Sequence, residues 1–229
     1  MQYIFENDVY SAKLLKRVDE LNVIAMKHNT DFVDPEQVKH AIAFAKYYHA
    51  GQPRKSGEPY YSHPIAVAEL ALEHEFSLNI AIGALLHDVV EDNKDCTCEM
   101  ICKEFGFRVA EIVYQLTRLR YGEKVGIPYI IQQLIALQDQ ETKIIKLMDR
   151  VHNIDTIQYM SPEKQRSYAW ETLQYFLALS EHANEIQVEE ELYHKCLKIL
   201  NIEINFSHQD DCHLQSLAFE NNLKKYKML

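Results

Sequence analysis

The chain has 229 residues, 47% hydrophobic and 25% charged, which suits one domain with a sizeable core, or one domain with an extension. A formal net charge of −10 argues against a broad nucleic-acid or anionic-membrane surface; an anionic small molecule would need a local basic loop or a metal to meet it. The opening MQYIFENDVYSAKLLKR lacks the apolar region of a signal peptide and no uncharged stretch is long enough to span a bilayer. The five cysteines, Cys96, Cys98, Cys102, Cys196 and Cys212, cannot all pair, so a reduced, cytoplasmic setting is expected.

Helical spacing of apolar residues runs through most of the chain, and glycine and proline number only six each. Asp34-Pro35 reads as an N-cap followed by N1, opening a helix through about Tyr48, with Gly51 beyond its end. His63-Pro64 starts another, with Ile65, Val67, Ala68, Ala71 and Leu72 on its apolar side. Ile80 to Val90 is apolar almost all round and predicts a central helix. Thr97 caps a short helix that stops at Gly106, and Val109 to Leu119 is the next. Tyr121 to Gly126 reads as a loop, and Pro128 restarts the helical pattern, which covers Tyr129 to about Met160 with a break near Gln138-Asp139. Ser161-Pro162 opens a helix to about Ser180, and Val188 to Leu200 supplies one more. IEINF (202–206) is the longest strand-like alternation, and the polar stretch after it reads as a terminal helix or a tail. The expected fold class is all-α.

The segment LLHDVVEDN, residues 85–93, places His87, Asp88, Glu91 and Asp92 on this central helix. Residues four apart share a helix face, so His87 stacks over Glu91 and Asp88 over Asp92. Charge on such a helix is costly unless it is paired or holds a cation. Alone, an HD pair reads as the solvated end of an amphipathic helix. Two distant segments change that reading. YYSHP supplies His63 at a helix start, and KLMDRVHN supplies Asp149 inside an apolar helical pattern, with Asn153 one turn further on the same face. His63, His87, Asp88 and Asp149 would make a mixed N/O ligand set for Mn, Fe, Zn or Mg, with positions left open for water and substrate.

Other candidates read more plainly. Cys96, Cys98 and Cys102 lack a completing C-x2-C pair and are expected to be free thiols. His208, Cys212 and His213 read as incidental residues of a polar tail. His152 points about 100° away from Asn153 and suits a place behind the ligands rather than among them. His40, His49 and His74 suit ordinary helix-surface roles, and of the tyrosines only Tyr60 and Tyr61 stand beside a basic loop.

The H…HD…D pattern resembles the HD metal-dependent phosphohydrolase superfamily. RKSGEPYYSHPIAVA, ALLHDVVEDN, FGFRVAEIVYQLTRL and KLMDRVHNIDTI are similar to the hydrolase domain of RelA/SpoT-type enzymes, over about Asp34 to Leu200. The resemblance implies an HD-domain helical bundle that removes the 3′-pyrophosphate of the guanosine alarmones ppGpp and pppGpp. It places Mn²⁺, one per chain, on His63, His87, Asp88 and Asp149, and the catalytic acid pair on Glu91 and Asp92. Substrate contacts fall on Arg54, Lys55, Ser56 and Asn153. The family often has arginine where Asp155 stands, which would remove a positive charge close to the site, and Asn93 replaces a common threonine. Such proteins usually continue into a synthetase domain, whereas here a short tail follows, so the chain resembles a stand-alone small alarmone hydrolase or a fragment of a split bifunctional protein.

The implied reaction is attack of water on the phosphorus joined to the ribose 3′ oxygen, giving pyrophosphate and GDP or GTP. The expected division is a helical segment over residues 1–33, the HD-type hydrolase domain over 34–185, and a helical extension and tail over 186–229 without a synthetase domain. Two alternatives stay open: a phosphohydrolase of another nucleotide such as NADPH, and a non-catalytic alarmone-binding regulator. The expected partner is the nucleotide alone, with no nucleic acid or membrane, and homo-oligomerisation is left open.

Overall fold

Capping side chains ahead of apolar runs set five of the helix starts in the computed structural model, which describes residues 3–30, 32–120 and 122–202. Asp8 accepts from the N–H groups of Tyr10 and Ser11 at 2.9 and 3.0 Å and opens α1 (Val9–His28). Asp34 caps α2 (Pro35–Tyr48), with Pro35 pre-setting the first turn. α3 (Ser62–His74) leads into α4 (Leu78–Leu86), whose Ile80 N–H is held by Ser77 Oγ at 3.1 Å. After α5 (Val89–Asp92), Thr97 caps α6 (Cys98–Phe105). The chain then turns at Gly106, φ +89°, where a side chain would be strained, into α7 (Phe107–Leu116).

A small antiparallel hairpin follows, β1 (Leu119–Arg120) and β2 (Glu123–Lys124), with Leu119 opposite Lys124. Next come α8 (Ile127–Ala136) and α9 (Gln140–Asp155), the latter capped by Asp139. α10 (Pro162–Glu171) runs through a π turn at Thr172–Phe176 into α11 (Leu177–His182), and α12 (Ile186–Leu200) ends at Asn201 in the left-handed region.

The all-α expectation holds: this hairpin is the one sheet among the described residues. α4 is the centre of the bundle. Ile80, Ala81, Ile82, Ala84, Leu85 and Leu86 are all buried, and the helix touches α2, α3, α7 and α9. Gly83 allows that closeness, since a Cβ there would stand 2.9 Å from Ile112 Cγ2 and 3.0 Å from Ile145 Cδ1. Leu14 and Val18 of α1 and Val188, Leu192 and Cys196 of α12 join the same hydrophobic cluster. No helix among the described residues is long and apolar enough to cross a membrane.

Several boundaries differ from the sequence reading. The central helix is assigned in two pieces with a turn at His87-Asp88, yet both residues keep right-handed helical backbone and Asp92 N–H still donates to the Asp88 carbonyl at 3.0 Å. The Tyr121–Gly126 loop is tied into the hairpin through Glu123 and Lys124. The break near Gln138-Asp139 is present, because Asp139 turns outward to cap α9. Except for Ile202, the strand-like IEINF lies outside the described residues, as do His208, Cys212 and His213.

Candidate active site

Three separate elements bring the ligand candidates together. His63 enters at the start of α3, His87 and Asp88 at the turn after α4, and Asp149 from the buried face of α9. One ligand atom from each of His63, His87 and Asp149 lies within 4.8 Å of the other two. Asp88 Oδ2 joins them, 3.6 Å from His63 Nε2 and 3.2 Å from His87 Nε2.

The imidazole tautomers follow from their outer partners. His87 Nδ1 donates to the Ala84 carbonyl at 2.7 Å, and its Nε2 is buried with no hydrogen-bond partner. Arg54 Nη1 only donates, so His152 Nδ1, 3.4 Å away, accepts. His63 Nδ1–H must then be the donor in its 2.8 Å contact with that same His152 atom, which turns His63 Nε2 toward Asp149 Oδ1 at 3.2 Å. His152 is held neutral, pushed down to about 3 by burial and by the neighbouring His63 and Arg54. It stands behind His63, as the sequence spacing suggested.

Electrostatics at the centre favour a cation. Burial disfavours a charged His87, but Asp88 and Asp149 outweigh it and lift the imidazole well above the ordinary histidine range. Burial likewise disfavours charge on Asp149, but Lys146 and the two histidines hold it well below the usual carboxylate range. Two ionised aspartates converging on the buried Nε2 atoms of His63 and His87 fit a divalent metal bound by mixed N/O donors. Outer contacts hold the acids in place. Lys146 Nζ and Asn153 Nδ2 donate to Asp149 at 3.0 and 2.6 Å, and Tyr60 Oη donates to Asp88 at 3.0 Å.

A cavity of about 780 Å³ opens over this group. Arg54, Lys55, Ser56, Asn153, Glu91 and Asp92 all line it, together with His63, Asp88 and Asp149; His87 lies behind its wall. Arg54 and Lys55 stand on a tight turn, where Gly57 N–H donates to the Arg54 carbonyl at 3.0 Å and Gly57 takes φ +90°. The Arg54 guanidinium reaches Thr156 Oγ1 at 3.1 Å. Glu91 accepts from the Arg118 backbone N–H at 2.9 Å and pairs with Lys124 Nζ at 2.6 Å. Burial and the Asp88 charge hold Asp92 above the ordinary carboxylate range.

Two readings of single residues change. Asp155 is exposed, ion-paired to Lys195 of α12, and does not line the cavity, so its charge is not delivered to the site. His49 is no surface residue: it is 1% exposed, packed on the Tyr60 ring, with Nδ1 2.9 Å from Gln52 Oε1. Lys146 and Thr156 were missed, although both lie one turn from predicted site residues on α9. Arg118 and Arg150 also line the cavity and carry no local signal, since tertiary packing alone brings them there.

An HD-domain family model matches residues 41–184. The chain belongs to the HD-domain family. Its curated relatives are of the RelA/SpoT type, as the motifs implied. It is 35% identical over 172 residues to the guanosine-3′,5′-bis(diphosphate) 3′-pyrophosphohydrolase of Aquifex aeolicus, covering 72% of this chain and 24% of that protein. It is 33% identical over 168 residues to the GTP pyrophosphokinase of Streptomyces coelicolor, covering 72% of this chain and 20% of that protein. The chain thus spans about a fifth to a quarter of the length of the curated relatives it matches. Among solved structures, a metazoan SpoT ortholog described as hydrolysing ppGpp shares the fold with a TM-score of 0.57 at 22% identity, covering 73% of this chain and 97% of that one.

Proposed function

We propose that this chain is a metal-dependent 3′-pyrophosphohydrolase of guanosine alarmones, converting (p)ppGpp and water into GDP or GTP and pyrophosphate. The observation that carries it is the convergence of His63, His87, Asp88 and Asp149, with His87 Nε2 buried and facing Asp88, beside a cavity whose lining mixes these acids with Arg54, Lys55, Arg118, Lys146 and Arg150. The relatives named as guanosine-3′,5′-bis(diphosphate) 3′-pyrophosphohydrolases support the choice of substrate.

Mn²⁺, one per chain, is our choice of cation; when bound it would lower the pKa of a coordinated water and screen the charge that repels the nucleophile. The other tasks fall to the protein. Glu91, fixed by the Arg118 N–H just before the hairpin and by Lys124 within it, orients the attacking water and accepts its proton. Asp92, whose proton is retained more strongly than an ordinary carboxylate's, supplies a proton to the departing ribose 3′ oxygen. Arg54, Lys55 and Ser56 take the nucleotide, with Arg54 stacking on the purine, and Asn153 fixes Asp149 while facing the substrate. We assign the hydrolase unit to residues 34–185, with residues 1–33 and 186–229 as helical additions, and place the protein in the cytoplasm.

The test is pyrophosphate release from ppGpp with Mn²⁺ and with chelator. Metal-dependent release with GDP as co-product is the expected result. Bound Mn²⁺ with no release would refute the alarmone assignment, and turnover of NADPH instead would redirect it.

A further inference from the structure

The cavity's cations are not equally free to meet a ligand. Lys146 is paired to Asp149 and Arg150 to Glu171, Arg54 is engaged by His152 and Thr156, and Lys55 is exposed on the turn beside Arg54, on the nucleotide side of the reading above. Arg118 differs. Its Nε donates to the Val125 carbonyl at 3.0 Å, which aims the guanidinium, and no carboxylate pairs with it among the described residues. Its backbone N–H holds Glu91 Oε2. The Arg118 main chain therefore positions a proposed catalytic acid, while its two terminal nitrogens stay available to an anion.

Its place in the site is as informative as its freedom. A contact chain runs from Arg54 through His152 and His63 to Asp88, then along one turn of α5 to Glu91 and Arg118. Arg54 and Arg118 thus reach the His–Asp group through different residues, Arg54 by way of His152 and Arg118 by way of Glu91. If the nucleoside lies on the Arg54 side, the reacting phosphorus sits at the His–Asp group. Its ribose 3′ oxygen then points back toward Arg54. Tetrahedral phosphorus directs the second phosphate of the same arm away from that oxygen and so away from Arg54, and Arg118 is the cavity-lining arginine left to meet it.

We propose that Arg118 is the binding residue for the terminal phosphate of the substrate's 3′-pyrophosphate arm, and so for the pyrophosphate product. This rests on the alarmone-hydrolase reading above. In the reaction, water oxygen bonds to the inner 3′ phosphorus and the P–O3′ bond breaks with its electron pair going to the ribose oxygen, which takes up a proton. Arg118 holds the other phosphate throughout, so the reacting phosphorus cannot swing from the water that Glu91 orients.

The experiment compares parent, Arg118→Gln and Arg118→Lys for ppGpp turnover and for product inhibition by inorganic pyrophosphate and by GDP. Both substitutions retain the backbone N–H to Glu91. Arg118→Gln should lower kcat/KM roughly ten- to a hundredfold and weaken pyrophosphate inhibition by about tenfold or more, with GDP inhibition within about twofold of the parent. Arg118→Lys should recover part of both losses. Unchanged pyrophosphate inhibition overturns the proposal. So does an equal loss of GDP inhibition, which would place Arg118 on the 5′ diphosphate or show a loosened cavity. If the parent itself does not hydrolyse ppGpp, the functional reading fails. Calorimetric binding of pyrophosphate in the presence of Mn²⁺ then decides this one separately: binding lost in Arg118→Gln supports the subsite, and equal binding in parent and variant overturns it.

Discussion

Asp149 accepts from Lys146 and Asn153 while facing two imidazoles, and Asp88 accepts from Tyr60, so each aspartate is oriented before any cation arrives. Glu91 has a different environment, with its oxygens engaged by Arg118 N–H and Lys124 and none by the His–Asp group. The two kinds of acid should separate on mutation. Asp88→Ala should lose Mn²⁺ binding and activity together, whereas Glu91→Ala should bind Mn²⁺ like the parent and lose turnover by roughly a hundredfold or more. A Glu91→Ala protein hydrolysing at the parent rate would show that the acid pair is wrongly assigned. Away from the site, Asp139 combines a helix cap with bonds from Arg108 at 2.6 and 2.8 Å. Burial pushes its carboxyl up, but Arg108 and Thr142 pull it below the ordinary aspartate range. The unfolded chain holds that proton more tightly, so the stabilisation is complete above the ordinary aspartate value, about 4, and fades as pH falls through the lower native one. Asp139→Asn should cost about 1–2 kcal/mol near neutrality, and the deficit should shrink in acid. Urea midpoints at both conditions check this; a pH-independent deficit would mean that the cap geometry, not the charge, supplies the effect.

At the scale of elements, the decisive feature is the end of α4. Its residues are apolar on every side, so it must be surrounded, and its last turn must deliver His87 and Asp88 where the core stops. Gly83 sets how closely α7 and α9 approach that helix. Gly83→Val should destabilise the fold by about 1–3 kcal/mol through overpacking against Ile112 and Ile145, read from thermal or urea unfolding. A stability equal to the parent's would show that those side chains can move aside. The interruption at His87-Asp88 was not legible locally, because the apolar spacing runs straight through both residues. It is a small departure, since Asp88 widens to φ −100° while Asp92 N–H keeps its bond to the Asp88 carbonyl, and His87 and Asp88 meet partners from α3 and α9 that spacing along the chain does not record. Lys146 was legible in principle, one turn before Asp149 on a helix already identified, whereas Arg118 depends on a hairpin whose two-residue strands leave no periodic signal.

For the whole molecule, a net charge of −10 coexists with a cavity whose five arginines and lysines stand beside five carboxylates, so the site is locally balanced within an acidic chain. Helices α3, α4 and α9 each contribute ligand candidates, so ion binding ties three parts of the core together. Mn²⁺ at about a hundredfold above its Kd should stabilise the native state by about 2.7 kcal/mol, raising Tm by roughly 5–10 °C for a chain of this size. Chelator should reverse the shift and Asp149→Asn should abolish it; an equal shift in that variant would locate the ion elsewhere. The sequence by itself determined the all-α class, most helix starts and the identities of the ligand candidates, because caps, apolar periodicity and the HD motif are local signals. Only the tertiary structure decided that His152 and Arg54 set the His63 tautomer, that Asp155 turns to Lys195, and that Arg118 faces the cavity. Those outcomes depend on which distant helix a side chain meets, and spacing along a chain carries no record of that.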